Sequence, residues 1–404
     1  MTAFARQEII AGWEQDAIGA ARVLVYGRDW PGCFAVWALS SLGVLEVLWL
    51  GEPGRTESFG AFLARDHAPG LNTLLCEYPL EPRRPEELAW IVNQAPPRVI
   101  IACSDGPARD LLAQTAAAQG IPFLDVSCAA YGSGSGRNDP APAMMAAALA
   151  ADEFRQIVNP LPALSEREFG AFSLASARVD RPGQVLLAGA GGIGVYCAVL
   201  LAAVGVPLAL VDADYVELTN LNRQGLFTVR DATLARPKAE AAAERLRGLF
   251  PRCPILSEVV RVDAQWGHTL KHLAPTAIVS AVDNAATRLV LGGMGERLGV
   301  PVVQAGTDVF SADCFVQEAT GPSLDVQMRG ALSDAARSEG ARSGGGCAAN
   351  PSYVVPGMVA GAFAAARTLA VLSGAGGLPS LHWRSGVLPR ERREIHDEFA
   401  SAAF

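Results

Sequence analysis

At 404 residues, the chain has room for two or three domains of roughly 100–200 residues each. Half of the residues are hydrophobic and 18% are charged, which excludes a disordered chain and allows a large core. The formal charge of −8, from 33 basic and 41 acidic residues, comes without a basic block and speaks against nucleic acid as the main partner.

The N-terminal stretch carries Arg6, Glu8, Glu14 and Asp16 where a signal peptide needs an apolar run, so a cytoplasmic protein is expected. The eight cysteines (Cys33, Cys76, Cys103, Cys128, Cys197, Cys253, Cys314 and Cys347) form no CxxC pair. Neither a secreted disulfide framework nor a four-cysteine zinc site fits that spacing, and no zinc is expected.

In chain order, Val23-Leu24-Val25-Tyr26-Gly27 reads as a strand ending on glycine. It is followed by Gly32, by Leu42-Gly43-Val44, by Cys103-Ser104-Asp105 and by Gly120-Ile121-Pro122-Phe123-Leu124. Pro142-Ala143-Met144-Met145 closes the series. The same signals then recur in the same order: Val185-Leu186-Leu187-Ala188-Gly189, Gly194, Val204-Gly205-Val206, Ala281-Val282-Asp283, Gly299-Val300-Pro301-Val302-Val303 and Pro356-Gly357-Met358-Val359. The second copy is longer in two places, before Asp283 and between Pro301 and Pro356. Alternating apolar runs and helical stretches such as Lys238–Phe250 predict two tandem doubly wound, Rossmann-like α/β domains. Their expected extents are 1–150 and 161–380, joined through the Gly132–Gly136 run and the helix after it. A solvated helix or peptide tail is expected over 381–404.

An uncharged run from Val185 to Val211 is long enough to cross a membrane. Gly189, Gly191, Gly192, Gly194, Gly205 and Pro207 break it into strand, turn, helix and strand. A central parallel strand buried on both faces has this composition, so no membrane segment is expected.

Gly189-Ala190-Gly191-Gly192-Ile193-Gly194 follows a strand and opens a helix. Such glycines serve a tight turn, a close backbone approach to phosphate and close helix–strand packing, and the helix N-terminus presents unpaired N–H groups to an anion. Alone, the loop fits a dinucleotide as well as ATP. Asp212 stands at the end of the next strand, where a carboxylate accepts from ribose hydroxyls. Asn220, Arg223 and Lys238 follow, and an amide with two cations suits a triphosphate better than a dinucleotide. Asp283 ends a buried strand at the carboxyl edge of the sheet, where it could hold Mg2+ or cap a helix.

The glycine loop, Asp212-Ala213-Asp214, Asn220-Leu221-Asn222-Arg223-Gln224, Pro237-Lys238-Ala239 and Asp283-Asn284 together resemble the ThiF/MoeB-like, ubiquitin-activating group of adenylyltransferases. The resemblance spans Gly189–Asn284. It implies ATP and Mg2+ as ligands, with Asp212 on ribose, Asn220, Arg223 and Lys238 on the phosphates, and Asp283 on the metal. It also implies adenylation of the C-terminal carboxylate of a ubiquitin-like protein. In the first copy Arg28, Asp29 and Trp30 replace Ala190, Gly191 and Gly192, and Leu50 stands for Asp212. Residues 1–150 therefore read as an inactive copy. Since members of the group are dimers, the chain resembles such a dimer fused head to tail, a monomer in itself. Phe4-Ala5-Arg6-Gln7-Glu8-Ile9-Ile10 resembles the element by which members lend an arginine across the dimer, which would make Arg6 that residue.

Ser343-Gly344-Gly345-Gly346-Cys347 precedes a helix led by Pro356. Thioester-forming members carry a cysteine in such a place, so the resemblance implies Cys347 as nucleophile; a helix N-terminus lowers a thiol pKa. Cys314 is the rival, while Cys103 and Cys197 read as packing residues. The minimal architecture resembles activating enzymes of bacterial ubiquitin-like conjugation systems, which implies a conjugating enzyme as second partner. Other readings stay open: adenylation that feeds sulfur transfer or peptide modification, an NAD-dependent oxidoreductase, and a nucleotide-binding scaffold.

Overall fold

The computed structural model describes residues 2–51, 56–78, 84–126, 139–161, 174, 177, 179–180, 182–263, 266, 273–342, 351–386 and 390–392. Five short apolar runs form the first sheet: β1 (Arg22–Tyr26), β2 (Glu46–Leu50), β3 (Leu74–Tyr78), β4 (Val99–Ala102) and β5 (Phe123–Asp125). All pair in parallel, in the order β3-β2-β1-β4-β5. The second sheet contains β6 (Val185–Ala188), β7 (Leu208–Val211), β8 (Ile255–Glu258), β9 (Ala277–Ser280) and β10 (Val302–Asp308). It continues with β11 (Ser311–Gln317), β12 (Ser380–Arg384) and β13 (Arg390–Arg392). Its order is β13-β12-β11-β10-β9-β6-β7-β8. The five strands from β10 to β8 are parallel and repeat the order of the first sheet; β11, β12 and β13 extend it antiparallel.

The repeat signals fall on equivalent backbone positions. Gly27 and Gly189 both end the first strand of their sheet at positive φ, +108° and +97°. A Cβ on Gly32 would lie 1.8 Å from the Gly27 carbonyl oxygen, and one on Gly194 would lie 1.8 Å from that of Gly189. In both copies the last glycine of the loop therefore lets the helix start against the strand that feeds it. The helices that follow, Trp30–Leu42 and Gly194–Ala203, are apolar on every side and almost wholly buried, as helices enclosed on all sides must be.

Two further helices, one from each copy, enclose them. Helices Pro140–Val158 and Val354–Leu372, both rich in alanine, pack against each other and against the Trp30–Leu42 and Gly194–Ala203 helices. One apolar cluster runs from Val23 and Val25 through these four helices to Val185 and Leu187. Val354–Leu372 is the one helix among the described residues long and apolar enough to cross a membrane, and 89% of its most apolar window is buried.

Two expected boundaries move. A division at residue 150 falls inside the Pro140–Val158 helix, which packs on both halves. The expected tail at 381–404 loses its start to β12, which pairs with β11 because Leu381 and Trp383 have core positions to fill. Just beyond it, Ser385 Oγ and the Gly386 N–H donate to buried Asp152, which also pairs with Arg155 at 3.0 Å. Arg390–Arg392, expected as a solvated helix or peptide, is a strand on β12.

Candidate functional site

The order of the second sheet reverses at β6, which has β7 on one side and β9 on the other. Ligands of open α/β sheets bind beyond the carboxyl ends of strands at such a point. Gly189, Asp212 and Asp283 follow β6, β7 and β9 and so converge there.

The four glycines of the loop are held for different reasons. Gly189 needs its positive φ, and a Cβ there would lie 2.5 Å from the Ala281 carbonyl oxygen; Gly194 is pressed on Gly189. Gly191 and Gly192 are under no such constraint. Their nearest neighbours to an added Cβ would be Gln224 Nε2 at 4.0 Å and the Arg223 carbonyl oxygen at 3.5 Å, ordinary contacts. Beside them Gln224 Oε1 is buried with no hydrogen-bond partner. Bare backbone together with an unsatisfied polar atom fits a site built for a ligand.

Asp212 Oδ2 accepts from the Ala190 N–H at 2.7 Å and Oδ1 from the Asp214 N–H at 2.8 Å. The carboxylate thus ties the glycine loop to the next turn, and each oxygen retains a lone pair for a further donor. Burial pushes its pKa up, opposed by the Lys238 charge and by the two N–H groups. Lys238 begins the Lys238–Leu249 helix, and its Nζ reaches back to Asp214 Oδ2 at 3.1 Å. Asn220 is buried; its Oδ1 accepts from the Glu217 N–H at 3.1 Å, which fixes the turn, and its amide N–H groups donate to none of the described residues.

Arg223 donates from Nη1 to the Thr219 carbonyl at 2.6 Å and to Asn222 Oδ1 at 3.1 Å. Among the described residues it has no ion pair. Burial first, and the charge of Arg6 second, bring its pKa down to about 10. Arg6 itself arrives from the other half, on the Ala5–Glu8 helix, and its carbonyl accepts from the Ser352 N–H at 3.0 Å. Asp283 is exposed, and among the described residues it makes no hydrogen bond or ion pair. Capping of the Ala285–Leu298 helix falls to Asn284, whose Oδ1 accepts from the Thr287 N–H at 2.8 Å. A free carboxylate facing solvent at this edge is the kind of ligand Mg2+ takes, alongside phosphate oxygens and water.

At the same edge of the first sheet the space is filled. Arg28 lies over the Trp49 ring at 4.3 Å and pairs with Glu77, and Trp30 stacks on Phe34 at 5.3 Å. The residue equivalent to Asp212 is Gly51, not Leu50. The Gly27 N–H donates to Leu50 as the Gly189 N–H donates to Val211, and the next residues, Gly51 and Asp212, both donate to the last residue of the third strand. Either way no carboxylate is present.

The six described cysteines, Cys33, Cys76, Cys103, Cys197, Cys253 and Cys314, all have their thiols pushed up by burial. Cys314 lies on β11, wholly buried, at about 12, which removes it as an accessible thiolate. Cys347 lies outside the described residues. Asn222, Gln7 and Ser352 also meet at the site, although the sequence reading gave them no role; Asn222 sat inside the Asn-Leu-Asn-Arg-Gln run and Gln7 beside Arg6. A separate open cleft of about 1040 Å³, lined in part by Phe62, Arg65, Arg230 and Arg245, lies between the halves away from the glycine loop.

The sequence model of the ThiF family matches residues 167–386. The chain is 36% identical over 140 residues to the SAMP-activating enzyme E1 of Haloferax volcanii, covering 34% of this chain and 51% of that protein. It is 35% identical over 136 residues to the sulfur carrier protein ThiS adenylyltransferase of Escherichia coli K12, covering 33% and 52%. It thus spans about half the length of the curated relatives it matches. Among solved structures it is similar to PaaA, at 20% identity and a TM-score of 0.43 over 52% of this chain and 72% of that one. It is also similar to E. coli MccB with ATP, at 20% identity and a TM-score of 0.42 over 52% and 63%.

Proposed function

The chain belongs to the ThiF family, and from that premise we propose that its second half binds Mg-ATP and adenylates the C-terminal carboxylate of a ubiquitin-like protein. The observation that carries this reading is the gathering at one sheet edge of bare Gly191 and Gly192, the uncapped Asp283 and the cations Arg6, Arg223 and Lys238. In the proposed step a carboxylate oxygen attacks the α-phosphorus, the bond to the β-phosphate oxygen breaks, and pyrophosphate leaves. Asp212 would bind ribose, and Arg223, Lys238 and the Asn220 amide would bear on the phosphates, where fixed cations stabilise developing charge. Asp283 would hold Mg2+, which when bound neutralises phosphate charge.

The first half, with its cradle filled by Arg28 and Trp30, supplies Arg6 and no second active site, as in a dimer fused into one chain. Cys347 would then take the acyl group as a thioester, releasing AMP, and pass it to a conjugating enzyme. Five of the six described cysteines are buried, and the half-buried Cys76 thiol is also pushed up, which supports that assignment against those six. A second reading, adenylation of a sulfur carrier, is favoured by the names of the relatives and needs no thioester.

The test is calorimetric titration of the purified chain with Mg-ATP and with NAD, followed by pyrophosphate exchange with a ubiquitin-like protein ending in glycine. Binding of Mg-ATP but not NAD, and exchange lost in Asp283→Ala, are expected; binding of NAD alone would overturn the reading. A reducible adduct lost in Cys347→Ala, with exchange kept, separates the thioester route from the sulfur-carrier route.

A further inference from the structure

We propose that Asn222 is a positioning residue that holds Arg6 and Arg223, one guanidinium from each half of the chain, together beside the phosphate site; this rests on the ATP reading above. Asn222 is fully buried, and its amide is engaged on both sides. Its Nδ2 donates to Gln7 Oε1 at 3.1 Å and to the Ser352 carbonyl at 3.2 Å, while its Oδ1 accepts from Arg223 Nη1 at 3.1 Å. Both of the first two partners lead to Arg6. Gln7 is its neighbour on the Ala5–Glu8 helix, and the Ser352 N–H donates to the Arg6 carbonyl at 3.0 Å. Gln7 in turn donates to the Leu42 carbonyl at 2.8 Å and to Gln15 Oε1 at 2.6 Å, which fixes the short helix to the first half.

Such a clamp matters because, among the described residues, no carboxylate forms an ion pair with either cation. The hydrogen bonds of Arg223 go to neutral oxygens, and neither arginine has an ion pair among the described residues. Burial, and the Arg6 charge after it, bring the Arg223 pKa down to about 10, so a bound polyanion would offset both the desolvation and the repulsion. A neutral amide fixes the geometry without neutralising it. A carboxylate at 222 would bond Arg223 as well, and would compete with phosphate for its charge. The arrangement amounts to preorganisation: the cost of bringing like charges together is met in folding, before ligand arrives.

The test is a double-mutant cycle on the full chain, reading the Mg-ATP dissociation constant by calorimetry. Arg6→Ala and Asn222→Ala should each weaken binding about tenfold, the size of one charge-assisted contact. The double variant should be weakened by clearly less than a hundredfold, because part of what Asn222 does is done through Arg6 and the rest through Arg223. Asn222→Asp should be weaker than Asn222→Ala. Additive losses of about a hundredfold, or an unaffected Asn222→Ala, would overturn the proposal. Thermal melts show whether Asn222→Ala folds; if it does not, Gln7→Ala, which removes one arm of the clamp, must show the same coupling to Arg6. A wild-type protein that ignores Mg-ATP would bring down the site reading and this proposal with it, an outcome plainly different from intact binding with additive losses.

Discussion

The glycine loop separates what the fold needs from what a ligand needs. Gly189 and Gly194 are required by backbone alone, and both have counterparts, Gly27 and Gly32, in the copy whose cradle is filled. Gly191 and Gly192 have none: Asp29 and Trp30 stand there. Gly194→Ala should therefore cost about 1–3 kcal/mol of stability, since its Cβ meets a carbonyl oxygen that can shift only with the strand. Gly191→Val should leave the denaturation midpoint nearly unchanged and weaken Mg-ATP binding more than tenfold, as one contact-sized loss or more; calorimetry and denaturant titration on both variants check the division. This much was legible in the sequence because a glycine's reasons are local. The partner of Asp212 in the first copy was not. Sliding the chain on itself points to Leu50, whereas the ladder of hydrogen bonds assigns Gly51, because the two copies differ by one residue between strands. The clamp around Asn222 was hidden for a related reason: Gln7, Asn222 and Ser352 are far apart in the chain, and no spacing rule joins them.

Elements added at the margins were harder to read than those of the repeat. The strands β12 and β13 look like a polar tail because one short run, Leu381-His382-Trp383, must find a partner strand that the sequence cannot specify. The Glu57–Gly70 segment of the first half is another case, three short helical pieces that enclose His67. Its ring is buried, 3.3 Å from Ser41 Oγ and edge-on to Trp37. Burial brings its pKa down from 6.5 to about 4. The unfolded chain therefore takes up the proton first. The full contribution is present above pH 6.5 and is lost as pH falls toward 4, amounting to about 3 kcal/mol in all. Guanidinium titrations at pH 7 and pH 4.5 should show this loss, and His67→Gln, which keeps a hydrogen-bonding group beside Ser41, should lessen it. An equal acid sensitivity in wild type and variant would place the titrating group elsewhere.

At the scale of the molecule, the repeat shows two copies, yet the face they share is set by shape: alanines and glycines on Pro140–Val158 and Val354–Leu372 that allow close approach. A Cβ on Gly357 would lie 2.2 Å from the Gly192 carbonyl oxygen, so this helix presses directly on the glycine loop. Trp37 is the most fully buried tryptophan at the seam. It is fully buried, its Nε1 donates to the Gly225 carbonyl at 2.9 Å, and its ring meets Tyr196 at 4.8 Å. Gly225 follows Gln224, so the contact ties the first half to the end of the Asn-Leu-Asn-Arg-Gln run. Trp37→Ala should cost about 3–5 kcal/mol by opening a cavity at that seam. If the halves are one cooperative unit, calorimetric unfolding of the variant remains a single transition at lower temperature, and Mg-ATP binding weakens because the half that carries Arg6 has lost its largest anchor. Two separate transitions, with Mg-ATP affinity intact, would show instead that the second half stands and binds on its own, and that the first half contributes little beyond bulk.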